Sequence, residues 1–433
     1  SETDTTVLTI SSKIFDLRRQ YETLKDTLET RYPEYYRLKY DLSTVPLDYV
    51  QDTLLQKGQT LLEYFTGDSA VYLFVIRPDT FQVVEVKKDF PLEDWVKHLR
   101  HGLTDAFKQN TPSPTYQEST AREYVSSAYD LYQKLIAPVE NLLTDTIIVV
   151  PDGVLGYVPF DVLLSEKPVN PTRFHSHSYL GKERHISYSY SATLLKEMRE
   201  KKHRVQPTES LLALAPFFRG SADQLREQVD TMSELLALRR DTLSALPATG
   251  REALIVSKIF GGKALLGAES PKEILQQEAG RYRILHLSTH GKADDKVGDY
   301  AYLGFALPGN LLAFDKFYAK DIYNLSLNAD LVTLSACETG IGELKRGEGI
   351  ISLARAFAYA GAKSIVTTLW SVNDVRTSEL MENFYKGLYN GMDKDAALWQ
   401  AKKDFLKNHK GMAAHPYYWA GFIPIGDMSA IRN

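Results

Sequence analysis

Two apolar runs in this sequence end on side chains able to do nucleophilic chemistry together. Ile284-Leu-His286-Leu-Ser-Thr-His290-Gly291 is a strand-like run that closes on a histidine and a glycine, and Leu331-Val-Thr-Leu-Ser335-Ala-Cys337-Glu-Thr-Gly340 closes on the only cysteine of the chain. If these strands are parallel neighbours, His290 and Cys337 emerge at one carboxyl edge, where the loops of an open α/β sheet converge. A cysteine nucleophile needs thiolate character and a partner that hands a proton to the departing amine. A nearby imidazole supplies the second and promotes the first. The two residues are 47 positions apart, a separation known for one class of cysteine nucleophile. Gly291 lets a substrate backbone approach closely, and its N–H, with that of Cys337, would face a tetrahedral oxyanion. Taken singly, each side chain also reads as core, because cysteine is among the most buried residue types and a lone histidine on an apolar strand is usually structural. It is the pair, at two strand exits beside glycine, that carries the catalytic reading.

The neighbouring charges have two readings. Asp294, Asp295 and Asp299 follow the histidine, and Glu338 follows the cysteine. They line a substrate pocket, or they keep loops in water, which is the ordinary fate of loop charges. Ser335, two residues before Cys337, is a further pocket candidate. His286 shares a strand face with His290 at an even offset and does not form a helical metal pair, so it reads as structural. His415 reads as a packing anchor, and His175 and His177 lie in an irregular stretch without the context of a zinc site. Gly261-Gly262 and Gly347-Glu-Gly349 lack the Lys-Ser/Thr of a phosphate loop. The chemistry requires no metal and no organic cofactor.

The elements that must position these residues follow from periodicity. Apolar residues at three- and four-residue intervals predict an amphipathic helix over 11–39, broken near Pro33, with too little mass to form a core alone. Further helices are expected at 47–58, 92–107, 121–143, 225–245, 272–279, 349–359, 375–389 and 393–407. Strands are expected at 70–76, 81–86, 146–151, 186–190, 211–215, 263–266, 283–288, 329–335 and 363–369. Their alternation predicts an α/β protein with a largely parallel sheet. The stretch 165–185, with Pro168, Pro171 and mixed charges, reads as a long surface loop.

Composition narrows the class of function. A formal net charge of −4 over 433 residues leaves no general basic excess for a nucleic-acid backbone. No apolar run approaches the ~20 residues of a membrane-spanning helix. One cysteine cannot make an internal disulfide, and no signal peptide opens the chain, so a soluble protein of the cytoplasm is expected. A chain that starts at Ser1 is expected to be a piece of a longer protein.

Several motifs, in order, resemble the CHAT family, a caspase-clan peptidase family found largely in bacteria. They are His286-Leu-Ser-Thr-His290-Gly291, Ser335-Ala-Cys337-Glu-Thr-Gly340, Gly347-Glu-Gly-Ile, Ala354-Arg-Ala-Phe357, the run from Ala360 to Asp374, and His415-Pro-Tyr-Tyr-Trp-Ala-Gly-Phe422. Upstream, Leu61-Leu-Glu-Tyr-Phe65 and the run Ile148 to Phe160 extend the likeness to roughly residues 45–427. The resemblance implies a caspase-like sheet with flanking helices (241–433), preceded by a degenerate caspase-like half (46–240) and a helical segment (1–45) that would join upstream tetratricopeptide repeats. It implies a cysteine endopeptidase with a His290–Cys337 dyad and Gly291 at the oxyanion position, a protein or peptide substrate, a regulatory protein acting through the repeats, and a role in bacterial immunity or programmed cell death. Metacaspases, which are related, carry an aspartate where this chain has Ser335, so a preference for basic residues does not carry over. The rival reading, from a different functional class, is a catalytically inactive caspase-like scaffold that binds partner proteins.

Overall fold

A computed structural model of the chain describes residues 2–31, 44–108, 113–218, 247–292, 300–307, 310–335, 343–345, 349–351, 353–370 and 375–431. It comprises two units, Ser1–Thr44 and Val45–Asn433. In the first, Glu2–Arg31 is a single helix, α1, on which Ile14, Leu17, Tyr21 and Leu24 are exposed. The helix expected from the apolar spacing is present, and the expected break at Pro33 lies outside the described residues.

The second unit is built on β-strands whose sequences are apolar on one or both faces. In chain order the strands are β1 (Gln59–Thr66), β2 (Ala70–Arg77), β3 (Thr80–Lys87), β4 (Thr146–Val150), β5 (His185–Tyr188), β6 (Glu209–Ala215), β7 (Lys263–Leu266), β8 (Tyr282–Leu287), β9 (Gly291–Lys292), β10 (Tyr302–Leu307), β11 (Asn310–Tyr318), β12 (Leu331–Leu334), β13 (Glu343–Lys345), β14 (Gly349–Ile351), β15 (Ser364–Thr368) and β16 (Phe422–Gly426). Eleven of them form one sheet in the order β3-β2-β1-β4-β5-β16-β15-β12-β8-β6-β7. Every residue of β12, β15 and β16 is buried, as befits strands covered by helices on both faces.

The sheet has two parallel blocks. In one, β1, β4, β5 and β16 run together; in the other, β15, β12, β8, β6 and β7 do. They meet where β15 pairs antiparallel with β16, Thr368 beside Phe422 and Ser364 beside Gly426. The carboxyl ends of β8 and β12 therefore share an edge with the amino end of β16.

Helices cover the sheet: α2 (Leu92–Lys108), α3 (Pro114–Leu135), α4 (Ala192–Glu200), α5 (Pro247–Phe260), α6 (Lys272–Glu278), α7 (Leu353–Ala360), α8 (Val375–Tyr389) and α9 (Lys394–Asn408). Ser113 and Ser191 cap α3 and α4, each side-chain oxygen accepting a backbone N–H of the first turn. Gly102 brings α2 against α3: a Cβ there would lie 2.6 Å from Tyr124 Cβ and 2.7 Å from Tyr124 N.

Three expectations are revised. The helix expected over 47–58 ends by Leu54, and the chain enters β1 after Gly58, a strand not foreseen. The helix expected over 349–359 starts at Leu353, because Gly349–Ile351 pairs as a strand with 343–345. The stretch 165–185 is irregular, but Phe174, His177, Tyr179 and Leu180 within it are buried, so it is not a surface loop. Pro247–Phe260 is a helix that the periodicity did not single out. The helix expected over 225–245 lies outside the described residues.

Gly102→Ala is expected to lower stability by about 1–3 kcal/mol through overpacking. Urea unfolding checks it: an unchanged midpoint would mean that α2 and α3 part without penalty.

Candidate active site

The expectation that the two chemistry-bearing strands are parallel neighbours is met. β12 pairs with β8 in a register that sets Leu331 beside Ile284, Thr333 beside His286 and Leu334 beside Leu287. One residue further on, Ser335 N–H donates to Leu287 O at 3.0 Å, while Ser288 N–H donates to Leu214 O on the other side at 2.9 Å. The carboxyl end of β8 is thus held from both flanks. His290 follows three residues after Leu287, at the sheet edge.

Its surroundings come from β10 and the end of β6. Gly304 N–H donates to His290 O at 2.7 Å, and Thr289 Oγ1 donates to Gly304 O. Phe217 stands edge-on to the His290 ring, centroids 4.6 Å apart. Gly304 makes room for this contact, since a Cβ there would lie 3.1 Å from Phe217 Cε2 and 3.6 Å from His290 Cβ. Gly291 faces Leu303 across an antiparallel pair. With the bond between His290 O and Gly304 N closing one side of that pair, Gly291 belongs to the non-hydrogen-bonded kind, and its own N–H is directed away from β10. Ser335 is buried. Cys337, Glu338, Asp294, Asp295 and Asp299 lie outside the described residues.

Sequence reasoning missed what lies beneath. His286 is buried, and both ring nitrogens are engaged: Nδ1 lies 2.9 Å from Tyr385 Oη, and Nε2 lies 2.8 Å from both Glu252 Oε1 and Ser288 Oγ. Ser288 Oγ donates to Glu252 Oε1 at 3.0 Å, and Tyr385 Oη donates to Thr333 Oγ1 at 2.9 Å. Burial pushes the Tyr385 hydroxyl upward, keeping it a neutral donor. Glu252 comes from α5 and Tyr385 from α8, so no local motif announces the cluster.

The remaining histidine candidates sit in an aromatic core. His415 meets Phe174 at 4.4 Å and Phe107 at 4.8 Å between ring centroids, and its Nδ1 accepts from Tyr417 N–H at 3.0 Å. It is the packing anchor that the sequence reading expected. His177 Nε2 lies 3.1 Å from Asn170 O. Burial pushes His177 down to about 4 and His415 down to about 3. Among the described residues, no group of three or more His, Cys, Asp or Glu side chains could hold a metal ion, and no helix is long and apolar enough to cross a membrane.

Known proteins resemble this chain in sequence or in fold. A family model described as the CHAT domain matches residues 125–427. Tetratricopeptide repeat protein 28 of Mus musculus is 25% identical over 369 residues, covering 76% of this chain and 14% of its own length. The Homo sapiens protein of the same name is 25% identical over 374 residues, covering 75% of this chain and 14% of its own length. The chain therefore spans about 14% of the curated relatives it matches. Two crystal structures of the Saccharomyces cerevisiae separase–securin complex superpose with TM-scores of 0.54 and 0.53, at 8% and 10% identity, over 89% and 88% of this chain and 31% and 30% of theirs. At that identity the likeness concerns the fold, a caspase-like α/β sheet with flanking helices.

The buried histidines give a signed expectation. His177 titrates near 6.5 when unfolded and near 4 when folded. Its contribution to stability is complete above about pH 6.5 and declines as the pH falls toward 4, because only the unfolded chain takes up the proton. The wild-type stability should therefore fall more steeply over that window than that of His177→Asn, by about 1.4 kcal/mol per pH unit. Urea unfolding of both proteins at pH 7.5, 6, 5 and 4.5 measures the difference; parallel curves would contradict it.

Proposed function

The chain belongs to the CHAT domain family, and from that premise we propose that it is a cysteine endopeptidase acting through His290 and Cys337. The observation that supports the reading is the register of β8 and β12. Leu287 is paired with Leu334, and each proposed catalytic residue follows its paired leucine by three positions. Both strands thus run out at the same sheet edge, where the loops of an open α/β sheet converge. A second support is the direction of the Gly291 N–H, which is not committed to the β10 ladder and suits an oxyanion donor.

In this reading Cys337 Sγ attacks the carbonyl carbon of a scissile peptide, and the oxyanion is met by the Gly291 and Cys337 N–H groups. The C–N bond breaks as His290 protonates the departing amine, leaving a thioester on Cys337. Water, giving its proton to His290, attacks the thioester; the C–S bond breaks and the acid product leaves. The substrate is an extended segment of a protein.

Cys337→Ala is expected to abolish cleavage with the fold intact, and His290→Ala to lower turnover by ~10²–10⁴-fold. Mapping new protein amino termini after adding wild-type or Cys337→Ala protein to a cell extract tests this, alongside labelling by an electrophilic peptide ketone. Hydrolysis retained in Cys337→Ala would reject the nucleophile. Stoichiometric partner binding with no labelling at Cys337 would instead make the chain a scaffold.

A further inference from the structure

A second set of polar side chains lies beneath the carboxyl ends of β8 and β12. Thr333 and His286 form one rung of the β8–β12 ladder, four residues ahead of Cys337 and His290 respectively. Across that rung lies the Tyr385 hydroxyl, 2.9 Å from Thr333 Oγ1 and 2.9 Å from His286 Nδ1. With the phenol proton given to Thr333, the Tyr385 oxygen accepts from Nδ1–H of His286, so one hydroxyl joins the two strands through their side chains. On the other side of the imidazole, Glu252 Oε1 receives the Ser288 hydroxyl at 3.0 Å and faces Nε2 at 2.8 Å. Ser288 is two residues before His290. The cluster therefore ties β8 to β12 and fastens the exit of β8 to α5.

Stability alone gives no reason for these residue types. The rest of both strands is Ile, Leu, Val and Tyr, apart from Arg283. Replacing a buried ion pair by well-packed apolar groups is often neutral or stabilising, whereas a satisfied polar network admits only one geometry. Displacing reacting groups by about 1 Å is enough to slow a reaction ~10²-fold. We infer that Glu252, His286, Ser288, Tyr385 and Thr333 form a positioning network that fixes the ends of β8 and β12, and through them the approach of His290 to the thiol. This inference rests on the dyad reading above.

The single cysteine of the chain supplies a readout that needs no substrate. Iodoacetamide alkylation at pH 7, followed by intact mass, reports the reactivity of Cys337 alone, and thermal melting reports the fold. The benchmarks are wild type and His290→Ala. Tyr385→Phe, which keeps the ring, and Ser288→Ala should remain folded yet alkylate about tenfold more slowly than wild type, toward the His290→Ala rate. Glu252→Leu should behave alike, while Glu252→Gln, which keeps an acceptor oxygen, recovers most of the rate. Wherever a cleavable substrate is in hand, the same variants should lower kcat and leave KM unchanged. If Glu252→Leu does not fold, Tyr385→Phe and Ser288→Ala decide. Wild-type alkylation in both, with His290→Ala slowed, overturns the positioning role and leaves the dyad standing. Equal rates in wild type and His290→Ala overturn the dyad, and this inference falls with it.

Discussion

Parallel strands cannot be joined by a tight turn. β8 and β12 come to lie side by side only because residues 288–330 leave the sheet edge and return to its far end. Described parts of that connection are β9, the β10–β11 pair and a short helix at Ala319–Ile322. Its first residues are Ser288 to Lys292, so the segment that makes the crossover also presents His290. The antiparallel pairs β9–β10 and β10–β11 give this excursion its own hydrogen bonds, and Gly304 and Phe217 bring it back against the histidine. Once the parallel register is fixed, the edge at which His290 leaves β8 and the pairing of His286 with Thr333 beneath it both follow.

Several of the buried or half-buried polar groups join separate parts of the chain. Lys402 on α9 meets Asp161, in the connection between β4 and β5, at 3.0 Å with both side chains buried. Arg100 on α2 donates to Leu369 O at 3.1 Å, just beyond β15. Lys394 Nζ donates to Asp427 O at 3.0 Å and Ser429 O at 2.7 Å, tying the start of α9 to the segment after β16. Each interaction spans elements distant in sequence. Buried ionic groups add little net stability, but they penalise alternative packings, and here they stand at the joints where alternatives would arise.

Much of this was legible in the sequence, for identifiable reasons. β4, β12 and β15 announce themselves because strands buried on both faces cannot alternate with polar residues. The spacing of His290 and Cys337 and the glycine beside the histidine pointed to one edge, and the parallel pairing of their strands agrees. β1 escaped because Gln59, Thr60, Glu63 and Thr66 interrupt its apolar residues and a helical pattern runs up to Gly58. The β10–β11 hairpin escaped because Gly304 weakens its first strand, a glycine whose use, clearance for Phe217, is visible only in three dimensions. The stretch 165–185 misled by composition: Phe174, His177 and Tyr179 are buried although their neighbours are polar. The cluster around His286 was illegible in principle, since Glu252 precedes it by 34 residues and Tyr385 follows by 99.

The seam between the two blocks bears on how the protein is made. β16 is the last of the sheet's strands in sequence, yet it lies between β5 and β15, in the middle. As the chain emerges from the ribosome, every other strand of both blocks is complete before residues 422–426 exist. Until then β5 and β15 each carry an open edge, the feature through which unfinished sheets recruit one another. A chain that stopped short of residue 422 would contain nearly all of the residues discussed here and still leave the blocks unjoined. Synthesis through β16 is thus written into the topology as a condition for the sheet to close.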